Sequence, residues 1–490
     1  MLKWDVLVVA IVYVLGTSLG LGLYQARKRL GRTADSFLYA EKSLSPWVAG
    51  AAIALAALGA VHTIGLMESG GTVGLATLWL CVTAAASMAW EAAFFAPYYR
   101  KLGVNTIPEI MHKLFDQQGR TIASIIGIAA AFVILTLETQ GGGVVLSALT
   151  GIDVHAGLIL FMVMAIAYVL ITGQWQVAYL DFINVIVTYI CTVIAFLIIS
   201  AKLPGGWGAI TNFDVEKGAL DALRFWPKDP GLIFGFVIAL VIVVFCFNPQ
   251  DQGKMSYYIC AKDVPTARKA GFIALFLNAP FGFFTTLIGF AAMALPQFAQ
   301  HGPKLAGVRL TLDYVPGVLA GLLLAAFLVL VLSTWARFTM GISQVVVNDF
   351  YLPLSKKSTA EKEKTVLWLS RVMILIPGIA AFVPAYSLPN ILFTGIFGFG
   401  LGIPAFVMMA LGLFWKRNAT AAAITMWVTF LASFVWEFTS LRAAVGLPGW
   451  FATPYMALIL SLVLGLGLTA ALGGKPGLVR KEATGAALGA

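Results

Sequence analysis

About thirteen runs of apolar residues, each close to the twenty that a helix needs to cross a bilayer core, dominate this chain. They fall near residues 4–25, 46–68, 73–98, 121–148, 154–173, 178–201, 231–252, 270–295, 315–348, 366–386, 389–414, 420–440 and 453–473, and no soluble domain of any size fits between them. In hydrocarbon each backbone N–H and C=O must be satisfied without water, so such runs form helices rather than open sheet. With 490 residues, 60% of them hydrophobic and 11% charged, and a mean hydropathy of +0.91, the chain reads as an all-α polytopic membrane protein.

Lys and Arg set the orientation, because short loops rich in them stay in the cytoplasm. One set of alternate loops carries most of them, including Arg27, Lys28, Arg29, Arg32, Arg100, Lys101, Lys113, Arg120, Lys254, Lys262, Arg268, Lys269, Lys356, Lys357, Lys416 and Arg417. Lys475, Arg480 and Lys481 follow in a short tail. The N-terminus is therefore expected outside and the C-terminus inside, in the cytoplasmic membrane. The net charge of +10 reflects loops facing anionic lipid rather than a nucleic-acid partner. Cys81, Cys191, Cys246 and Cys260 are scattered, which suggests neither a disulfide framework nor a metal site. The first span has no basic leader or evident cleavage site and reads as a retained helix.

Two spans are interrupted. The second, AIALAALGAVHTIGLMESGG, places Gly59, His62 and Gly65 in mid-membrane; the seventh ends FCFNPQDQGK, where Pro249 removes a backbone donor and Gly253 follows. Being five apart, spans two and seven cross in opposite senses, the parity of an inverted five-plus-five repeat, and broken helices at matching positions point to a midplane binding site. The alternative is that Gly and Pro are common in membrane helices anyway.

Charges inside spans are few: Glu138 in LTLETQGGG, Asp181 in VAYLDFINVI, Asp251 in the broken seventh span and Arg337 in LVLVLSTWARFTMGIS. Glu91, beside Trp90 near a span end, reads as interfacial. His62, taken without context, reads first as a satisfied neutral core histidine.

At SFLYAEKSLSPW (36–47), NTIPEIMHKLF (105–115), YICAKDVPTARKAG (258–271) and LGLFWKRNATAAAI (411–424) the chain resembles the cytoplasmic loops of the solute:sodium symporter family, in the right order and over nearly its whole length. The resemblance implies a sodium-coupled symporter with the inverted-repeat, broken-helix fold of the leucine transporter. It implies a transporter domain over 1–474: an extra helix at 4–25, repeats at 46–202 and 229–415, peripheral helices at 420–474, and a cytoplasmic tail at 475–490. Its sodium site would use the hydroxyls of Ser333 and Thr334 and the carbonyls of Leu330, Leu55 and Leu58. That agrees with the chemistry, since a hard cation takes oxygen ligands and an unwound helix frees carbonyls. The competing reading of Ser-Thr is back-bonding to the preceding turn.

At the positions where the galactose symporter places polar ligands this chain has His62, Cys81 and Ala84, which argues against a sugar. Gly59, His62, Glu138, Asp251 and Gln252 remain as substrate-site candidates. Two carboxylates and a histidine suit a small polar solute carrying an amino group, such as an amino acid or related zwitterion. A monocarboxylate is the alternative, and a transporter-like sensor without flux is a second of another class. Glu138 or Asp251 pairing internally is the bland reading. No nucleophile elbow, phosphate loop or metal motif suggests an enzyme, and no obligatory protein partner is evident.

Some family members hold a second sodium with an Asp in the sixth span and hydroxyls one turn past the Ser-Thr pair. Here the Asp is Asp181, but the hydroxyl positions are Ala336 and Arg337. Arg337 is too deep to reach the interface easily, so it is expected to pair with Asp181 as a tethered substitute for that ion, leaving one sodium per cycle. The alternative is that it bonds helix carbonyls or lines a watery vestibule.

Overall fold

Each of the apolar runs becomes helical in a computed structural model of the chain, which describes residues 4–479 except 29, 171–172, 217–219, 357 and 389. Arg29, Lys357, Arg480, Lys481 and the rest of the tail from 480 lie outside the described residues. Among the described residues, ten helices are long and apolar enough to cross a membrane, or twelve if each of two bent pairs counts as a span. The thirteenth expected run is the shorter apolar helix Val154–Leu170. The two-residue strands Lys416–Arg417 and Lys475–Pro476 pair antiparallel, and the architecture is otherwise helical.

Polar side chains fix where helices begin. Ser45 accepts the Val48 N–H ahead of Pro46–Ala56, Thr106 that of Glu109 ahead of Ile107–Leu114, and Asp116 that of Gly119 ahead of Gln117–Thr150. Burial then separates the centre from the rim. Of the most apolar stretch in Gly317–Leu354, 78% of residues are buried, against 22% in Trp4–Gln25. The central Gly317–Val345 helix packs against Trp4–Arg27, Gln117–Thr150, Gln174–Lys202 and Gln252–Cys260, which explains how it holds Ser333, Thr334 and Arg337 away from lipid.

Both expected interruptions are present. Pro46–Ala56 stops, the chain is irregular to Ala60, and a π-helical turn at Val61–Gly65 leads into Leu66–Thr72 at a bend of 57°. In the other, Ala239–Phe247 tightens to a 3₁₀ turn at Asn248–Gln250, Asp251 is extended, and Gln252–Cys260 resumes. A third bend, of 41°, separates Ile391–Gly400 from Ile403–Phe414 and was not expected. There Pro404 has no N–H to give, and the Gly402 carbonyl turns out to accept the Gln250 side-chain amide.

Candidate functional site

The first break leaves backbone groups that other helices satisfy. The Ala60 N–H donates to Glu138 Oε2 at 2.8 Å, from the Gln117–Thr150 helix. Only glycine at position 59 admits that carboxylate, because a Cβ there would stand 2.3 Å from Glu138 Oε1. The Ala56 carbonyl accepts from Arg337, the Ala54 carbonyl from Asn278 Nδ2 at 3.2 Å, and the Leu55 carbonyl from the Leu58 N–H at 2.8 Å.

The second break caps itself. Asp251 Oδ1 accepts the N–H groups of Gly253 at 3.0 Å and Lys254 at 3.3 Å, which starts the Gln252–Cys260 helix. Its other oxygen, Oδ2, is paired with Arg337. A Cβ on Gly253 would lie 2.6 Å from Arg337 Cγ, so the glycine makes room for the arginine stem.

Arg337 therefore spans both breaks, bound to Ala56 on one and Asp251 on the other. This corrects the expected pairing with Asp181, whose Oδ1 instead accepts the Ser333 hydroxyl. The reason is local: the guanidinium fork meets a carboxylate and the carbonyl end of a helix, where the dipole favours a cation, and its ring-facing side stacks 4.1 Å from the centroid of Phe338.

Gly59, His62, Glu138, Asp251, Thr334 and Arg337 come together around a buried cavity of about 40 Å³, which Asn248, Lys254, Ala84 and Phe247 also line. Neither ring nitrogen of His62 has a hydrogen-bond partner among the described residues, although the residue is buried, at 5% exposure. Thr334 Oγ is likewise buried and unpartnered. Buried polar atoms without partners are uncommon, and among the described residues four of them, both His62 nitrogens, Thr334 Oγ and Arg337 Nε, belong to side chains that line this cavity. Leu330 lies one turn before Thr334 on the same helix, and Leu58 lies in the irregular stretch of the first break.

Gln252 is not part of this cavity. Its Oε1 accepts the Ile107 N–H at 2.9 Å, and its Nε2 bonds the Asn105 carbonyl at 3.1 Å and Gln344 Oε1 at 2.8 Å, bracing the loop before Ile107–Leu114. It lines a second space of about 20 Å³ that shares Phe247, Asp251 and Phe338 with the first.

Two charged residues at the site were misread in the sequence. Glu91, expected at the interface, is 1% exposed and accepts from Lys254 Nζ at 2.5 Å and the Tyr258 hydroxyl at 3.2 Å. Lys254, counted with the loop cations, is 1% exposed. The polar run NPQDQGK looked like a loop, yet Asp251 restarts the helix inside the bundle and carries Lys254 with it. The available signal was Glu91 itself, since a carboxylate within a span calls for a counter-charge.

The sequence model of the "Sodium:solute symporter family" matches residues 37–429. The chain belongs to that family. Among its relatives, the "Sodium/glucose cotransporter" of Vibrio parahaemolyticus is 23% identical over 453 residues, covering 86% of this chain and 82% of that one. The "High-affinity proline transporter PutP" of Bacillus subtilis (strain 168) is 24% identical over 446 residues, with 84% and 91% covered. In fold, the symporter is similar to a solved Na⁺-coupled sialic acid symporter, with a TM-score of 0.78 at 22% identity over 97% of this chain and 99% of the other. It is also similar to a nucleobase-cation-symport-1 family transporter, with a TM-score of 0.57 at 14% identity over 89% and 95%. The protein is thus a multi-pass membrane symporter, a transporter and not an enzyme, and sodium is its coupling ion.

Proposed function

We propose that this symporter imports a small polar solute bearing an amino group, an amino acid or related zwitterion or amine, with one sodium ion per cycle, by alternating access across the cytoplasmic membrane. The sodium is held by the hydroxyls of Ser333 and Thr334 and the carbonyls of Leu55, Leu58 and Leu330. His62, Gly59 and Glu138 receive the solute, Asp251 shapes the wall beside them, and Gln252 braces the second broken helix from behind. Asp181 and Arg337 set the coupling: Asp181 orients Ser333, and Arg337 stands as a fixed cation where a second ion would otherwise be needed. The same reading keeps thirteen spans, the N-terminus outside, the tail inside, and repeats over 46–202 and 229–415 that rock about the site.

The observation that carries this reading is the cavity on which His62, with both nitrogens unpartnered, meets the Glu138 carboxylate and the free Thr334 hydroxyl. A neutral imidazole offers one donor and one acceptor, and a carboxylate nearby suits an ammonium group. A monocarboxylate is the second reading, and it is favoured by Lys254 and Arg337, which line the same cavity.

Thermal stabilisation of the purified protein by amino acids, carboxylates and amines, with and without sodium, tests the choice. Sodium-dependent stabilisation by amino acids is expected. Stabilisation by carboxylates alone would favour the second reading, and none by any of the three would overturn the site.

A further inference from the structure

We infer that Lys254 anchors the carboxylate of the transported solute and so makes the site select amino acids over the corresponding amines; this rests on the cavity being the solute site. Lys254 belongs to the first turn of the Gln252–Cys260 helix and is 1% exposed, yet it lines the cavity that holds His62 and Glu138. An ammonium has three N–H donors. Among the described residues Lys254 Nζ gives one of them, to Glu91 Oε1 at 2.5 Å. The rest are free for an acceptor entering the cavity.

One further feature suits an anion there. Arg337, on the same cavity, keeps a buried Nε–H without a partner after its two terminal nitrogens have bonded Asp251 and Ala56. Among the described residues Asp251 is paired with Arg337, and the Lys254 ammonium with Glu91.

Glu91 has a definite part in this arrangement. A lysine alone in the membrane interior would lose its charge or leave the site, and a carboxylate one bond away keeps it in place before the solute arrives. The Tyr258 hydroxyl on Glu91 Oε2 holds that carboxylate in turn. Lys254 is therefore a specificity residue, and Glu91 positions it.

The test compares each of L-alanine, L-serine and L-proline with its decarboxylated partner, ethylamine, ethanolamine and pyrrolidine, by sodium-dependent stabilisation of the purified full chain. Wild type is expected to prefer the amino acid by about tenfold or more, roughly the discrimination of 1.4 kcal/mol that one good charged contact gives. Because Lys254→Gln leaves Glu91 buried without a counter-charge, the deciding variant is the double replacement Lys254→Met with Glu91→Met, which removes both charges together. There the preference is expected to fall to within about twofold while the sodium midpoint stays unchanged, a split that general destabilisation does not produce. A double variant that folds and keeps the preference overturns the Lys254 assignment alone. A wild type that binds amines as well as amino acids overturns it too. A wild type that binds none of the six overturns the solute site as well.

Discussion

The two broken helices solve the same problem in opposite ways. At the first break the freed backbone groups are bonded by charged side chains from elsewhere: Glu138 takes the Ala60 N–H and Arg337 the Ala56 carbonyl. At the second, the break carries its own cap, because Asp251 accepts from Gly253 and Lys254 within the next turn. The Pro249 carbonyl receives the Tyr99 hydroxyl, and Gln250 reaches the Gly402 carbonyl. A self-capped break keeps its shape when its surroundings change. A break held by distant charges responds to whatever alters those charges, and a sodium ion and a charged solute are such agents. On this account the first break is the responsive half of the site and the second the fixed half.

The largest effect is expected from removing the side chain that joins them. Arg337→Met leaves Asp251 buried without its partner, a cost of about 3–5 kcal/mol, and should lower the melting temperature and abolish uptake. Adding Asp251→Asn should recover much of the stability but not the transport. Next comes Gly59→Ala, whose new methyl must displace Glu138 at a cost of about 1–3 kcal/mol. Gly65→Ala in the same span meets nothing nearer than Ile391 Cγ2 at 3.2 Å and should retain most uptake, which separates the carboxylate contact from a general dislike of alanine.

Smaller still is Glu138→Gln, which keeps an acceptor for the Ala60 N–H while removing the charge. It should fold normally and bind amino acids about tenfold more weakly, a loss of about 1.4 kcal/mol. Thr334→Val, measured by the sodium concentration for half-maximal uptake, should raise that value by about three- to tenfold, with the solute midpoint at saturating sodium little changed. If Glu138→Gln and Asp251→Asn affected solute binding equally, the contrast between a responsive and a fixed break would fail.

How far the sequence could reveal this follows from which forces are local. The apolar runs, the breaks at Gly59 and Pro249, and the placing of Ser333 and Thr334 one residue apart on a buried helix depend on chain chemistry within a few residues, and all of them were legible. The partner of Arg337 was not. Residues 181 and 251 are both far from it in sequence, and choosing between them needs the crossing of three helices, which positions Asp251 and the Ala56 carbonyl within one guanidinium span. Lys254 was hidden by the composition around it, since NPQDQGK has the polarity of a loop although its last residue is inside the bundle. The resemblance to symporters pointed to Ser333 and Thr334 as the proposed sodium ligands and marked Arg337 as a departure from the family pattern, but it gave neither the partner of Arg337 nor any role for Lys254.

The central claim is that Arg337 holds the first break as a fixed cation, so that one sodium moves per cycle. Initial uptake rates in proteoliposomes, measured over a wide range of sodium concentration at saturating solute, test it most directly. The account predicts a hyperbolic dependence with a Hill coefficient of one. A sigmoidal dependence with a coefficient clearly above one would contradict it.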